Sequence, residues 1–198
     1  MAGRADRVVL GFRPHTYWTA VVALSGDVVA PTLVDRRRID FAAGDQRFVY
    51  HQAVSLSPAK AVAKIQATRR AVETAAAQGV KALLAGLAEA PVRLAVVPVG
   101  RPPAEDLAEI IRSHAAIHAA EGQFYRDALA EACRALGLDV ARVAEKELLL
   151  EASRTLQSPA AKLEAHLKVI GGKAGPPWGE DQRMAALAAW IGLADLAN

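Results

Sequence analysis

Residues 8–24 constrain the fold of this chain more than any other segment. Their sequence, VVLGFRPHTYWTAVVAL, consists of two apolar runs joined by the short polar segment RPHT. Two apolar runs of strand length around a tight polar connection are typical of a buried β-hairpin. We therefore expect two central antiparallel strands, with Arg13 and His15 lying where the first strand ends.

The remainder of the chain predicts three more strands and five helical segments. The strands are predicted at residues 28–40, 92–99 and 138–143, and the helices at residues 58–78, 104–136, 145–156, 162–170 and 180–197. Three consecutive antiparallel strands followed by β/α units predict an α/β fold, a mixed five-stranded sheet with helices on both faces. A length of 198 residues fits a single domain over residues 1–198.

Composition limits the classes of function that need consideration. The chain is 53% apolar with a net charge of +3, which is weak support for an anionic partner and well short of a basic nucleic-acid arm. Its one cysteine, Cys133, lies in a helical pattern and is predicted to be a small buried thiol. Because neither a signal peptide nor a membrane-length apolar run is evident, we expect a soluble cytoplasmic protein with no membrane association.

Two segments outside the hairpin carry candidate nucleic-acid contacts. Residues 171–179, GGKAGPPWG, predict a flexible loop in which Trp178 either stacks on a base or anchors the loop. The third strand contains three consecutive arginines, and side-chain alternation predicts that Arg36 and Arg38 share a face. These arginines either protect an edge strand by their charge or contact phosphate.

The element order and two motifs resemble the RuvC branch of the ribonuclease H-like superfamily, the Holliday-junction resolvases. In that family the first strand ends in Gly-hydrophobic-Asp-Pro-Gly, and the corresponding residues here, 11–15, read GFRPH. The family's last helix carries an Asp-x-x-Asp pair before Ala-Leu-Ala, and its counterpart here reads DQRMAAL from Asp181. The resemblance implies the ribonuclease H-like fold, a nucleic-acid partner and a homodimer.

The catalytic residues that the resemblance implies are largely absent. The family's reaction requires three or four carboxylates that converge on Mg²⁺. Arg13 replaces the first of them, residues 95–98 of the fourth strand read AVVP and offer no acid, and Asp181 remains as a candidate. Since a guanidinium repels a metal ion at this point, we expect neither two-metal nuclease activity nor a bound cofactor.

A row of polar side chains interrupts the apolar stripe of the helix predicted over residues 104–136. The row consists of His114, His118, Glu121 and Tyr125, spaced four, three and four residues apart on one face. Three interpretations remain open. In the first, the four groups form hydrogen bonds with backbone groups of nearby loops. In the second, the two histidines and Glu121 hold a metal ion. In the third, Glu121 pairs with Arg13 while the histidines line a pocket with His15.

The predicted binding pocket combines the end of the first strand with this row. It comprises Arg13, His15, His114, His118, Glu121, Tyr125 and Asp181. The first functional hypothesis is a nucleic-acid-associated or regulatory binding protein, with Arg36, Arg38 and Trp178 as nucleic-acid contacts. The second is a hydrolase or nuclease that uses His114, His118 and Glu121, with Asp181 a further catalytic candidate. The third is a structural subunit.

Overall fold

A computed structural model describes residues 7–41, 44–87 and 91–197 as a five-stranded mixed sheet with helices on both faces. The strands are β1 (Val8–Pro14), β2 (Trp18–Gly26), β3 (Pro31–Asp40), β4 (Val92–Val99) and β5 (Asp139–Ala144). The helices are α1 (Val49–Ala53), α2 (Pro58–Gly86), α3 (Leu107–Ile110), α4 (His114–Ala135), α5 (Leu148–Thr155), α6 (Ala160–Ala174) and α7 (Glu180–Ala197). The predicted fold class is confirmed.

The sheet has the strand order β3-β2-β1-β4-β5, which makes β1 the central strand. The first three strands pair antiparallel, whereas β4 is parallel to both β1 and β5. A hydrogen bond from His15 N to Trp18 O, 2.8 Å long, closes the turn between β1 and β2. Because β1, β3, β4 and β5 all run in one direction, their carboxyl ends meet at one edge of the sheet, which we call the carboxyl edge.

Side-chain alternation along β1 divides the interior into two cores. Leu10 and Phe12 pack towards α2 and α4, whereas Val9 packs towards α5, α6 and α7. A strand that is buried on both faces reads as a continuous apolar run, which is why the first segment of the chain is so uniformly hydrophobic. The hairpin is therefore the centre of the molecule, as its sequence predicts.

The close approach of α7 to β1 positions the first turn of that helix. Gly11 of β1 lies against α7, where a Cβ atom would overlap the Ala185 carbonyl oxygen and lie 2.9 Å from the Ala189 Cβ. Only glycine on the strand and alanine on the helix allow this separation. Asp181, one helical turn before Ala185, consequently lies beside the end of β1.

Several predicted element bounds are wrong. The helix predicted to stop at residue 78 continues to Gly86. Gly79 does not end the helix: it lies against Ile39, where a Cβ would overlap that side chain, so glycine is needed there for close packing. The helix predicted over residues 104–136 is two helices, and Ser113 caps the second by accepting a hydrogen bond from Ala116 N. The third strand begins at Pro31 because Ala30 N donates to Asp27 O in a turn.

The prediction of a flexible loop over residues 171–179 is wrong for its first four residues, because α6 extends to Ala174. Gly171 is helical and lies against the Trp178 indole, which a Cβ at residue 171 would overlap. The Arg36 guanidinium donates hydrogen bonds of 2.5–3.0 Å to the four carbonyl oxygens of residues 174–177. Arg36 and Trp178 therefore hold the connection between α6 and α7 in place.

Two predictions made from composition concern the cysteine and the membrane. Cys133 is buried in α4, as predicted, and burial raises the pKa of its thiol to about 12. Across the described ranges, no helix has the length and apolar character needed to cross a membrane.

Candidate functional site

Two arginines and one glutamate meet at the carboxyl edge. Arg13 comes from the end of β1, Arg126 from α4 and Glu145 from the 3-10 turn that follows β5. Arg13 Nη1 bonds to Glu145 Oε1, and Arg126 Nη2 bonds to Glu145 Oε2, so a single carboxylate joins both guanidiniums. The three side chains are 15–20% exposed. We call this arrangement the Arg13–Glu145–Arg126 bridge.

A second polar contact lies beside the bridge. His15 Nε2 is 2.8 Å from Asp181 Oδ1, and the same carboxylate oxygen is 3.9 Å from Arg13 Nε. Asp181 reaches this position because α7 packs closely on β1 at Gly11. The acid that the resemblance predicts on the last helix is thus present, but its partners are a histidine and an arginine.

A stack of side chains continues the carboxyl edge towards solvent. The rings of His15 and Trp18 are parallel, with centroids 4.1 Å apart, and the Arg38 guanidinium carbon lies 4.1 Å from the centre of the indole. Arg38 donates hydrogen bonds of 2.7 and 3.0 Å to Asp40, and this bond raises the pKa of Arg38. Half of the Arg38 side chain remains exposed.

The residues at the carboxyl edge do not fit the Mg²⁺ ions that the resemblance implies. Mg²⁺ requires oxygen ligands in octahedral geometry, usually carboxylates and water. Both oxygens of Glu145 are bonded to guanidiniums, and Asp181 is paired with His15. Burial, with the like charge of Arg13 as a second cause, lowers the pKa of Arg126. The two carboxylates of this edge are therefore already occupied by arginine and histidine side chains and are not available as a pair of metal ligands.

A second polar cluster lies between α1 and α4. It contains His51 of α1 and the α4 residues His114 and His118, whose ligand nitrogens all lie within 4.8 Å of one another. Their ring centroids are 4.3–5.6 Å apart. Buried Glu121 lies behind these rings, and its Oε2 accepts hydrogen bonds from Tyr50 N at 3.0 Å and His51 Nδ1 at 3.2 Å. We call His51, His114 and His118 the histidine cluster.

Tyr125 anchors the core behind Glu121. Its ring contacts Phe41 and Phe124, and its hydroxyl donates a 2.7 Å hydrogen bond to Gln46 O. Burial, followed by the negative charge of Glu121, raises the pKa of Tyr125. The Tyr125 hydroxyl therefore joins α4 to the segment before α1.

These contacts divide the predicted pocket into two groups. Arg13, His15 and Asp181 meet at the carboxyl edge, whereas Glu121 lies with the histidine cluster. The predicted pairing of Glu121 with Arg13 is wrong, because Glu121 bonds to His51 and Tyr50 while Arg13 bonds to Glu145. Glu121 and Arg126 are about 140° apart around α4, so the helix directs them to different neighbours.

Three residues of the two sites escaped prediction from the sequence. Glu145 directly follows β5, and the rule that the carboxyl ends of parallel strands meet at one edge would have identified it. Arg126 has no comparable signal, because it lies among ordinary polar residues of a long helix. His51 lies in a segment whose helix is only five residues long and shows no usable periodicity.

The structure gives each candidate nucleic-acid contact a defined position. Arg36 and Trp178 stabilise the connection before α7, Trp178 by packing on Gly171 and Arg36 through backbone carbonyls. Arg37 points to the other face, where its Nη1 is 3.5 Å from Ala82 O of α2, so the predicted alternation is confirmed. Arg38 is exposed at the carboxyl edge. The predicted role of these residues in nucleic-acid binding stays a prediction.

The strand order and the helix across β1 define a ribonuclease H-like fold. Within that class the chain is similar to RuvC of Thermus thermophilus. One RuvC structure, described as a complex with Holliday junction substrate, has a TM-score of 0.51 and 11% identity, with 95% of this chain and 93% of that chain covered. Another RuvC structure has the same TM-score and identity, with 96% of each chain covered.

The likeness establishes the fold alone, because an identity of 11% is too low to carry over residue roles or activity. Neither a protein-family model nor a curated protein matches the sequence. The chain therefore has a RuvC-like ribonuclease H fold, as the resemblance predicted.

Proposed function

We propose that this protein binds nucleic acid with its RuvC-like fold and does not cut it by a two-metal mechanism. The observation that carries the proposal is the Arg13–Glu145–Arg126 bridge. It occupies the end of β1, where the resemblance implies the first metal-binding carboxylate. The two guanidiniums take both carboxylate oxygens of Glu145, which a divalent cation would need as ligands, and this supports a fold that binds without two-metal cleavage.

Exposed cations at the carboxyl ends of three strands support an anionic ligand at the same edge. Arg38 lies near the end of β3, Arg101 follows β4 and Lys146 follows β5. Each of the three is exposed, and their strands all end at the carboxyl edge. Lysine and arginine that neutralise phosphates supply most of the sequence-independent affinity of nucleic-acid-binding proteins.

The similarity to a RuvC structure described with Holliday junction substrate suggests the first ligand to test. A four-way DNA junction and a duplex of the same sequence separate recognition of a branched structure from general affinity for phosphate. The net charge of only +3 favours a local contact surface over a generally basic protein.

Fluorescence anisotropy with labelled junction and duplex tests this proposal. We expect binding that weakens as salt increases, and a further loss of affinity in Arg101→Glu and Lys146→Glu, because each variant removes a phosphate contact. The matched control is Lys162→Glu, which changes the charge equally on α6, beside the turn at Val28 and Val29 on the opposite edge. Absence of salt-dependent binding, or an equal loss in the control, would favour a structural subunit instead.

The rival hypothesis is a hydrolase that uses His114, His118 and Glu121, and it would have to work without Glu121 as a general base. Glu121 is buried and already bonds to Tyr50 N and His51, so it does not face a substrate as a general base. The histidines can act without it, as ligands for a metal ion. That possibility depends on the histidine cluster and not on the carboxyl edge.

A further inference from the structure

We propose that the histidine cluster is a binding site for Zn²⁺ or a similar first-row divalent ion, with Glu121 as its positioning residue. The proposal goes beyond nucleic-acid binding and uses none of the residues of the carboxyl edge. The ligand nitrogens of His51, His114 and His118 already lie within 4.8 Å of one another. Because a tetrahedral zinc ion holds nitrogen ligands about 3.3 Å apart, closure requires each pair to approach by about 1.5 Å at most.

Helix periodicity brings two of the ligands together. His114 and His118 are four residues apart in the first two turns of α4, so their rings lie on one face. The same spacing of two histidines on one helical face is used by known zinc sites. Both side chains are exposed and can rotate towards a common ion without disturbing the core.

The third ligand comes from α1, which is fixed against α4. The Tyr50 and Phe124 rings meet edge to face, with centroids 6.0 Å apart. Glu121 Oε2 accepts hydrogen bonds from both Tyr50 N and His51 Nδ1. These contacts hold the His51 ring opposite the α4 histidines, 4.8 Å from the ring of His118.

Metal-binding histidines commonly donate a hydrogen bond from their second ring nitrogen to a carboxylate, and Glu121 is that carboxylate for His51. With Nδ1–H of His51 donated to the carboxylate, the lone pair of His51 Nε2 is available to a metal ion. Glu121 is 2% exposed, and its Oε1 is buried with no hydrogen bond to any described residue. A buried carboxylate behind the rings favours a cation in front of them and offsets the unfavourable dipole at the start of α4.

The ligand set selects the class of metal. Three imidazole nitrogens suit Zn²⁺, Cu²⁺ or Ni²⁺, whereas Mg²⁺ and Ca²⁺ require oxygen ligands. Three protein ligands leave one position of a tetrahedral ion open to water or to an anionic oxygen. Since His114 and His118 are exposed, the ion lies at the protein surface.

Ring packing alone does not explain the cluster. Three of the five histidines of the chain gather at one point, although two of them are exposed and gain little from the removal of apolar surface from water. A shared ligand accounts for both their proximity and the carboxylate behind them.

Isothermal titration of the EDTA-treated protein with ZnCl₂ tests the site. We expect one equivalent of Zn²⁺, and a loss of affinity of at least about tenfold in His114→Ala, His118→Ala and His51→Ala. The matched control is His166→Ala, which removes a histidine that packs on Trp190 of α7, and its affinity should equal that of the wild type. MgCl₂ should give no binding heat that these variants alter.

Glu121→Gln tests the positioning role. We expect zinc affinity to fall by about 10- to 100-fold, and the visible absorption of bound Co²⁺ to shift, because the glutamine lacks the charge of the carboxylate. If Glu121→Gln does not fold, the exposed His114 and His118 variants decide the matter, with circular dichroism as the check on folding. Less than one equivalent of zinc, binding that survives loss of both α4 histidines, or an equal loss in His166→Ala would overturn the proposal.

Discussion

Glu145 is the residue on which the carboxyl edge depends, because its two carboxylate oxygens hold two arginines of different elements. Without it, Arg13 and Arg126 would be like charges in partly buried positions. A carboxylate between two guanidiniums turns this repulsion into attraction. Arg13 at the end of β1 is therefore matched by an acid that follows β5.

Glu145→Ala should lower the free energy of unfolding by about 2–4 kcal/mol, because it leaves two partly buried guanidiniums without their shared partner. The matched control is Glu131→Ala, which removes an exposed partner of Arg134 and should change stability by less than about 0.5 kcal/mol. Urea unfolding followed by circular dichroism measures both. Equal stability of the two variants would contradict the structural importance of the bridge.

Cys133 should make stability dependent on alkaline pH. Burial raises the thiol pKa to about 12, above the value of about 8.5 in unfolded chains. The folded state then holds a proton that the unfolded state releases, so the contribution is complete below about pH 8.5 and is lost as the pH rises towards the folded value. We expect stability to fall more steeply above pH 9 in the wild type than in Cys133→Ala. Equal slopes, or rapid labelling of the native thiol at pH 8, would contradict this.

Single residues show what sequence reasoning can reach here. The positions of Arg13, His15 and Asp181 at the end of β1 follow from the strand pattern and the motif at the last helix. Their partners do not follow, because a hydrogen bond between α4 and the turn after β5 depends on how far each element is rotated about its axis. The same rotation brings Glu121 to His51 and not to Arg13.

At the level of elements, the contact between β1 and α7 places Asp181 at the carboxyl edge. The buried residues 185–189 of α7 are four alanines and Leu187, and this small face allows the helix to approach Gly11. The five strands and the last helix were predictable, since their segments have strong apolar patterns. The break before α4 and the extension of α6 were not, because a serine cap and the Trp178 contact outweigh local propensity there.

Gly11→Ala should destabilise the protein by about 3 kcal/mol or more, because the added methyl group overlaps the Ala185 carbonyl and must push α7 from the sheet. The control is Gly172→Ala in α6, where an added Cβ has no neighbour within 4 Å. This control should be neutral or more stable by about 0.5–1 kcal/mol. Thermal unfolding compares the two, and a stable Gly11→Ala protein would contradict the close contact of α7 and β1.

At the level of the whole molecule, a RuvC-like fold carries two separate polar sites. The carboxyl edge is closed by internal ion pairs, whereas the histidine cluster brings three ligand nitrogens within 4.8 Å of one another. The fold was predictable from element order, because few topologies accommodate three antiparallel strands followed by β/α units. A homodimer and a cytoplasmic location stay predictions.

The central expectation is that the protein binds nucleic acid and does not cut it in the presence of a divalent metal ion. A labelled four-way DNA junction incubated with the protein should form a complex both in Mg²⁺ and in EDTA, although Mg²⁺ weakens binding as other salts do. The DNA should remain intact in both. Metal-dependent incision that disappears in Asp181→Asn would contradict the proposal, and so would the lack of any complex.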